Sequence, residues 1–442
     1  MDMTPKQIVS YLDDYIIGQN DAKKTIALAL RNRYRRMRVE PELQEEIMPK
    51  NILMIGSTGV GKTEIARRLA KMMGLPFIKV EASKFTEVGY VGRDVESMVR
   101  DLVYESINLV TKEFEEKIKD KLEDEINRQI IEKLVPPLPE GASENARESF
   151  IKTYNKMEGK LLKGDLDDKK IELELPKKAH VEILDSNMPM DMSSMQESLN
   201  KMLGGLNKEK IKKEVTIKDA RILLKDVASD KLLDQEAIKV EAVKRAENGG
   251  IIFLDEIDKI ATGSKNQNQD PSKEGVQRDL LPIVEGSSVH TKFGQIKTDH
   301  VLFIAAGAFH VSKPSDLLPE LQGRFPLRVE LDNLDEDALY KILTSTKNSL
   351  LRQYKALLQV ENVDLEFDDE AIHAFAKYSV TANEKTEDIG ARRLHTVIEK
   401  VIEDISYEAD EKSGEKIIIT KKLVEDKLDD IIEDEDTARY IL

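Results

Sequence analysis

Asn51-Ile52-Leu53-Met54-Ile55-Gly56-Ser57-Thr58-Gly59-Val60-Gly61-Lys62-Thr63 is the stretch on which the fold turns. Its first half is a short apolar run after Pro49, suited to a strand buried on both faces, as strands of parallel sheets are. Its second half, from Gly56, fits the pattern G-x-x-x-x-G-K-[ST]. In such a loop the glycines let backbone N–H groups turn inward around an anion, and the following helix adds its positive dipole end. Residues 63–73 carry apolar side chains at helical spacing, and Gly74 with Pro76 ends the helix. Phe77-Ile78-Lys79-Val80 starts a second strand. Strand, glycine loop, helix and strand in this order predict an α/β fold with a parallel sheet and crossover helices. Lys62 is placed to neutralise the β- and γ-phosphates of a bound nucleotide, and Thr63 to offer its hydroxyl to Mg2+.

Further along, Ile251-Ile252-Phe253-Leu254-Asp255-Glu256 is another apolar strand, ending in two carboxylates. Beside a phosphate loop, Asp255 helps to hold hydrated Mg2+, and Glu256 orients and deprotonates water at the γ-phosphate. That glutamate separates hydrolysis from simple nucleotide holding. Val301 to Ala305 is a further buried-strand candidate. Between the two halves of this sheet, apolar residues recur from Val95 to Leu134 without Gly or Pro, predicting one helix of about 40 residues, roughly 60 Å long. Residues 111–243 hold 25 basic and 29 acidic side chains, a denser charge than the chain's 34%, and six of its 14 methionines. They read as a helical insertion, partly mobile in its middle, and the polar loop Thr262 to Lys273 reads as mobile too. After Leu331 the pattern is mostly amphipathic helix (335–358, 368–378, 390–408), then a short strand at 416–420 and a last helix. The predicted organisation is a discontinuous nucleotide-binding domain (1–110 and 244–332), an insertion domain (111–243) and a mostly helical C-terminal domain (333–442).

Composition narrows the function. The 442 residues carry 68 basic and 84 acidic side chains, a formal net charge of −16, which repels phosphate backbones and disfavours a broad nucleic-acid groove. The absence of cysteine excludes disulfides, thiolate zinc sites and a cysteine nucleophile, and fits a reducing cytoplasm. No run approaches the roughly 18 apolar residues of a membrane span, and no signal peptide is visible. The six histidines show no metal-ligand spacing, and there is no G-x-S-x-G, so the chain shows no protease chemistry of its own.

Leu318-Pro319-Glu320-Leu321-Gln322-Gly323-Arg324 puts Glu320 and Arg324 on one face of a short helix, which in isolation reads as a surface ion pair. Gly390-Ala391-Arg392-Arg393 in isolation reads as a helix start with two exposed arginines. Taken in order, GSTGVGKT, IIFLDE, PELQGR and IGARR resemble the AAA+ ATPases of the Clp/Hsp100 group. Gly89-Tyr90-Val91-Gly92 resembles the aromatic pore loop of unfoldases, and the charged insertion together with the C-terminal Arg439-Tyr440-Ile441-Leu442 resembles, within that group, the HslU (ClpY) family. The resemblance covers nearly the whole chain. It implies a hexameric ring that hydrolyses ATP with Mg2+, unfolds protein substrates and feeds them to a separate peptidase, HslV.

Position by position, the resemblance implies that Ile17 contacts adenine and that Gly59, Val60, Gly61, Lys62, Thr63 and Glu64 wrap the phosphates. Arg324 becomes the arginine finger reaching a neighbouring subunit's nucleotide, with Glu320 near the same interface, and Arg392 a second sensor. Tyr90 and Val91 become the substrate grip, and Tyr440, Ile441 and Leu442 the tail that docks on HslV. One departure stands out: Ala305-Ala306-Gly307 occupies the strand end where many AAA+ proteins place a polar water-positioning side chain. Two other readings stay open, a nucleic-acid AAA+ motor and a non-hydrolysing nucleotide scaffold. DNA-stimulated hydrolysis and the lack of steady-state turnover are their respective marks.

Overall fold

A computed structural model of the chain describes residues 3–87, 92–135, 138, 143–176, 210–262 and 271–433. It divides into two compact units, Met1–Val110 with Lys239–Leu442, and Thr111–Ile238.

The first unit is built on a five-stranded parallel sheet: β1 (Ile52–Ile55), β2 (Phe77–Glu81), β3 (Ile251–Asp255), β4 (Leu302–Gly307) and β5 (Leu327–Glu330). Their order across the sheet is β2-β3-β4-β1-β5, and every pairing is parallel. The register aligns Glu81 with Asp255 and Ile55 with Gly307, so the phosphate loop and the acidic strand end open on the same edge. Binding at the carboxyl ends of the strands is the general rule for such sheets.

Alternate residues of the apolar runs serve two cores. Ile52, Met54, Phe253 and Ile304 face the helices Pro5–Asp13, Asn20–Arg36 and Lys62–Met73. Leu53, Leu254 and Phe303 face the helices Ser97–Lys117 and Pro271–Glu285. Each such side chain removed from water contributes about 1.5–3 kcal/mol, which explains why the strands read as continuous apolar runs. A third core lies among the helices Glu336–Thr344, Leu350–Gln359, Asp369–Lys385, Arg392–Tyr407 and Lys421–Glu433. A parallel strand pair, Asp364–Phe367 and Lys416–Ile419, accompanies them.

The second unit has its own core, with Leu122, Ile126, Ile130 and Leu161 from the helices Lys119–Leu134 and Glu144–Leu162. It also contains an antiparallel strand pair, Lys170–Pro176 with Lys210–Thr216, which the helical reading of this region did not anticipate. Its methionine-rich stretch lies outside the described residues, as does 263–270 of the polar loop.

Two expected helices are each broken. The run from Val95 to Leu134 forms Ser97–Lys117 and Lys119–Leu134, with Ile118 between them at φ −107° and ψ 14°. The run 335–358 breaks after Thr344, where Ser349 starts a new helix by accepting a hydrogen bond from the Arg352 N–H. A capping serine competes with continuation, and apolar periodicity alone does not register it. Among the described residues no helix is long and apolar enough to cross a membrane.

Candidate active site

Where β1 ends, the backbone enters the left-handed region at Gly59 (φ +78°) and Gly61 (φ +104°), and Gly61 then caps the helix Lys62–Met73. Only glycine adopts these angles at little cost, which is the physical content of the loop pattern. Val60, between them, is buried in the core beside Ile16 rather than lining the loop's open side. Lys62 is 9% exposed, and its Nζ donates to the carbonyls of Gly56 and of Ser57, the latter at 2.8 Å. Burial pulls its ammonium below the ordinary lysine value, while Asp255 and Asp258 pull it back up. Burial pushes the Glu64 carboxyl up, but hydrogen bonds from Arg67 and Arg68 outweigh it and hold the group below its ordinary value.

Asp255 closes β3, with Oδ2 2.7 Å from Lys79 Nζ and Oδ1 accepting from the Glu256 N–H at 3.0 Å. Glu256 itself sits in the left-handed region (φ 56°, ψ 36°), an arrangement that costs a non-glycine residue about 1–3 kcal/mol. Ser83, in the turn after β2, donates to Glu256 Oε2 at 2.9 Å. No sequence pattern pointed to Ser83, because its partner lies 173 residues away.

A cavity of about 420 Å3 joins these groups. Its walls are the phosphate loop from Thr58 to Glu64 without Val60, the pair Asp255 and Glu256, and Ala391, Arg392 and His395 of the C-terminal helices. His395 was not foreseen, although it follows Arg392 by one helical turn. The two neighbouring arginines divide: Arg392 is exposed to the cavity, whereas Arg393 is buried and donates to Asn383 Oδ1, Thr386 Oγ1 and the Glu387 carbonyl. The reading of both as exposed is corrected for Arg393. The backbones of the two loops touch, since the Ala391 N–H donates to the Gly59 carbonyl at 3.3 Å. A larger apolar cavity of about 540 Å3 lies beside the helix Asn20–Arg36; its Arg33 and Arg36 are engaged with backbone carbonyls, and the reactive groups are all in the smaller one.

The remaining candidates lie elsewhere. Ile17 is half-buried and does not line the cavity, though its neighbour Ile16 stands 3.8 Å from where a Cβ on Gly61 would be. Arg324 ends the helix Pro319–Arg324, and its Nη2 pairs with Glu285 Oε1 at 2.7 Å, while neither it nor Glu320 reaches the cavity of its own chain. Ala305 and Ala306 are fully buried, so no side chain there reaches water. Tyr90, Val91, Tyr440, Ile441 and Leu442 lie outside the described residues. Among the described residues no cluster of three or more histidines and acids is disposed to hold a metal.

Comparison with known proteins agrees with this geometry. Residues 52–162 match the ATPase family associated with various cellular activities (AAA), residues 177–328 the AAA domain (Cdc48 subfamily), and residues 334–409 the C-terminal, D2-small domain of ClpB protein. The ATP-dependent protease ATPase subunit HslU of Campylobacter jejuni subsp. jejuni is 64% identical over 100% of both chains. The protein of that name from Helicobacter pylori is 61% identical over 100% of this chain and 99% of its own. Neither a nucleic-acid motor nor a non-hydrolysing scaffold finds support among these relatives. With identity at this level running from end to end, the chain belongs to the HslU family of AAA+ ATPases and is an ATP-hydrolysing enzyme.

Proposed function

We propose that this chain forms a hexameric ring in the cytoplasm which spends ATP to unfold proteins and pass them to an HslV peptidase. The observation that carries the proposal is the single cavity in which Lys62, Glu256 and Arg392 meet. Those are the three groups that hydrolysis linked to movement requires: one for the phosphates, one for water, and one from a second domain. The backbone N–H groups from Gly59 to Glu64 receive the phosphates, and Lys62 leaves the carbonyls of its own loop for the γ-phosphate. Glu256, held by Ser83, accepts a proton from the attacking water. Arg392, on a different core from the phosphate loop, couples the state of the phosphates to the position of the C-terminal domain.

Thr63 and Asp255 supply the hard oxygen donors that Mg2+ takes. Both Asp255 oxygens are already engaged, by Lys79 and by the Glu256 N–H, so they fit an ion held through water and phosphate rather than by a protein cage. Such an ion supplies neutralisation of charge on the phosphate oxygens. Arg324, unable to reach its own chain's cavity, acts on the next subunit's nucleotide, with Glu320 at the same interface. Ile17 contacts adenine, Tyr90 and Val91 grip the polypeptide, and Tyr440-Ile441-Leu442 docks on HslV with apolar burial and capture of the terminal carboxylate. The domains are those drawn from the sequence: 1–110 with 244–332, 111–243 and 333–442.

The test mixes this chain with HslV and an unfolded model protein. ATP-dependent degradation is expected, lost on deleting residues 436–442 while ATP turnover persists. Turnover of ATP with no degradation in the intact mixture refutes the peptidase partnership.

A further inference from the structure

The adenine-contact reading of Ile17 leaves unexplained how the loop that carries it is held. Asp14 and Gln19 flank that loop, and both are tied to the C-terminal part of the chain. The Lys347 N–H donates to the Asp14 carbonyl at 2.9 Å, and Lys347 Nζ lies 2.6 Å from Asp14 Oδ2. At the other end Gln19 is 5% exposed and spends its whole side-chain amide on one residue. Its Nε2 donates to the Asp332 carbonyl at 2.8 Å, and its Oε1 accepts from the Asp332 N–H at 2.9 Å. The amide thus imitates a neighbouring strand. To do so, Gln19 stands in the left-handed region at φ 56°, which non-glycine residues rarely adopt.

Asp332 is no ordinary partner. It lies in the linker between β5 and the C-terminal helices, and Leu334, two residues on, packs against both the sheet core and the C-terminal core. The linker is held a second time from the phosphate loop, where Ser57 Oγ donates to Asn333 Oδ1 at 2.9 Å. Tyr15 to Gly18 is therefore strung between two anchors, with Ile16 backed against Gly61. A base pressing on this loop moves or stiffens the linker, because a buried bidentate amide transmits displacement where a single exposed bond gives way.

We propose that Gln19 is a positioning residue that couples base occupancy of the Ile17 loop to the linker at Asp332–Leu334, and through it to the C-terminal domain. The proposal rests on Ile17 contacting adenine, and the test separates the two. Backbone amide hydrogen exchange is followed by mass spectrometry across residues 331–336 of the full-length chain, with and without saturating ADP. In the wild type ADP slows exchange there by about fivefold or more, the lower range of allosteric couplings. In Gln19→Ala, at ADP concentrations shown to saturate, that slowing disappears. By reciprocity ADP affinity falls by a similar factor. Gln19→Glu, which keeps the acceptor for the Asp332 N–H and loses the donor to its carbonyl, gives an intermediate slowing, and it carries the same test should Gln19→Ala not fold. A merely structural Gln19 accelerates exchange equally with and without ADP and leaves the ADP-induced ratio intact; that result, or a wild type with no ADP-induced slowing, overturns the proposal. If instead Ile17→Ala binds ADP with unchanged affinity, the adenine reading fails while the exchange measurements still decide the clamp.

Discussion

The contact between the phosphate loop and the Ile389–Ala391 turn can be broken by one methyl group. Gly390 has φ +56°, and a Cβ there would meet the Thr58 carbonyl oxygen at 2.7 Å, the Gly59 carbonyl carbon at 2.9 Å and its oxygen at 3.0 Å. All three atoms are backbone, so no flexible side chain can yield. Gly390→Ala therefore incurs two costs: roughly 1–2 kcal/mol for alanine in the left-handed region, and about 1–3 kcal/mol for overpacking. Gly414 separates them. Its φ is +88° and nothing lies within 4 Å of its Cβ position, so Gly414→Ala incurs only the first. Restoring ordinary carbon–oxygen contact at Gly390 requires the turn to retreat by about 0.6 Å, carrying Arg392 with it. A misplacement of 1 Å costs about 10²-fold in rate, so ATP turnover is expected to fall by roughly tenfold in Gly390→Ala. Urea midpoints measure the stability costs of both variants, and a coupled assay measures steady-state ATP turnover. If Gly390→Ala hydrolyses ATP within about twofold of Gly414→Ala, the two loops do not touch in the working enzyme and the reasoning is wrong.

Glu256→Gln is expected to keep nucleotide binding and lose about 10²–10⁴ in turnover, whereas Ser83→Ala, which removes only the hydrogen bond orienting that carboxylate, loses about tenfold or less; equal losses would show that Ser83 does more than orient. Arg324→Ala is expected to lose about 10³–10⁵ in turnover, with partial recovery in rings mixed with Glu256→Gln subunits, and no recovery in demonstrably mixed rings would place its action within one chain. Burial holds Lys62 below the ordinary lysine value, and bound phosphates favour its charged form, so binding raises its pKa, takes up protons and weakens as pH climbs from the free value towards the bound one. Titration calorimetry in two alkaline buffers of different ionisation enthalpy reads that uptake, and its absence would exclude Lys62 from the phosphates.

The sheet was largely legible from one-dimensional pattern because parallel strands buried on both faces leave short continuous apolar runs such as Ile251 to Leu254, bounded here by Gly250 and Asp255. β5 escaped notice because Leu327-Arg328-Val329-Glu330 alternates at the sheet's edge, and four residues of alternation are too few to separate from a loop. The strand pair Lys170–Pro176 and Lys210–Thr216 was hidden by its many lysines and glutamates, of which Lys170, Glu172, Lys212, Lys213 and Glu214 face solvent, and which read as charged helix. At the site, Lys62, Asp255 and Glu256 announced themselves because phosphate chemistry fixes their spacing from glycines and strand ends. Ser83, Asn333 and Gln19 did not, since each is bonded to a partner distant in sequence, and His395 did not because only the fold brings its helix to the cavity. Arg393 shows the converse error, for its three hydrogen bonds to the 383–387 turn make it a structural residue that only the folded chain distinguishes from Arg392.

The strand order β2-β3-β4-β1-β5 sets a timetable for the ribosome. β1 and β2 are synthesised one after the other, yet neither finds a partner in the other, because β3 and β4 come between them. The first residue of β3, Ile251, emerges about 170 residues after Glu81 ends β2. At about 5–20 residues per second, that interval is roughly 10–30 s. Throughout it the nascent polypeptide displays Ile52-Leu53-Met54 and Phe77-Ile78 with unpaired backbone edges, while the Thr111–Ile238 unit, complete in itself, is free to fold ahead of them. Slowing the ribosome between codons 82 and 250 lengthens that exposure, and is expected to lower the folded yield without changing a single residue.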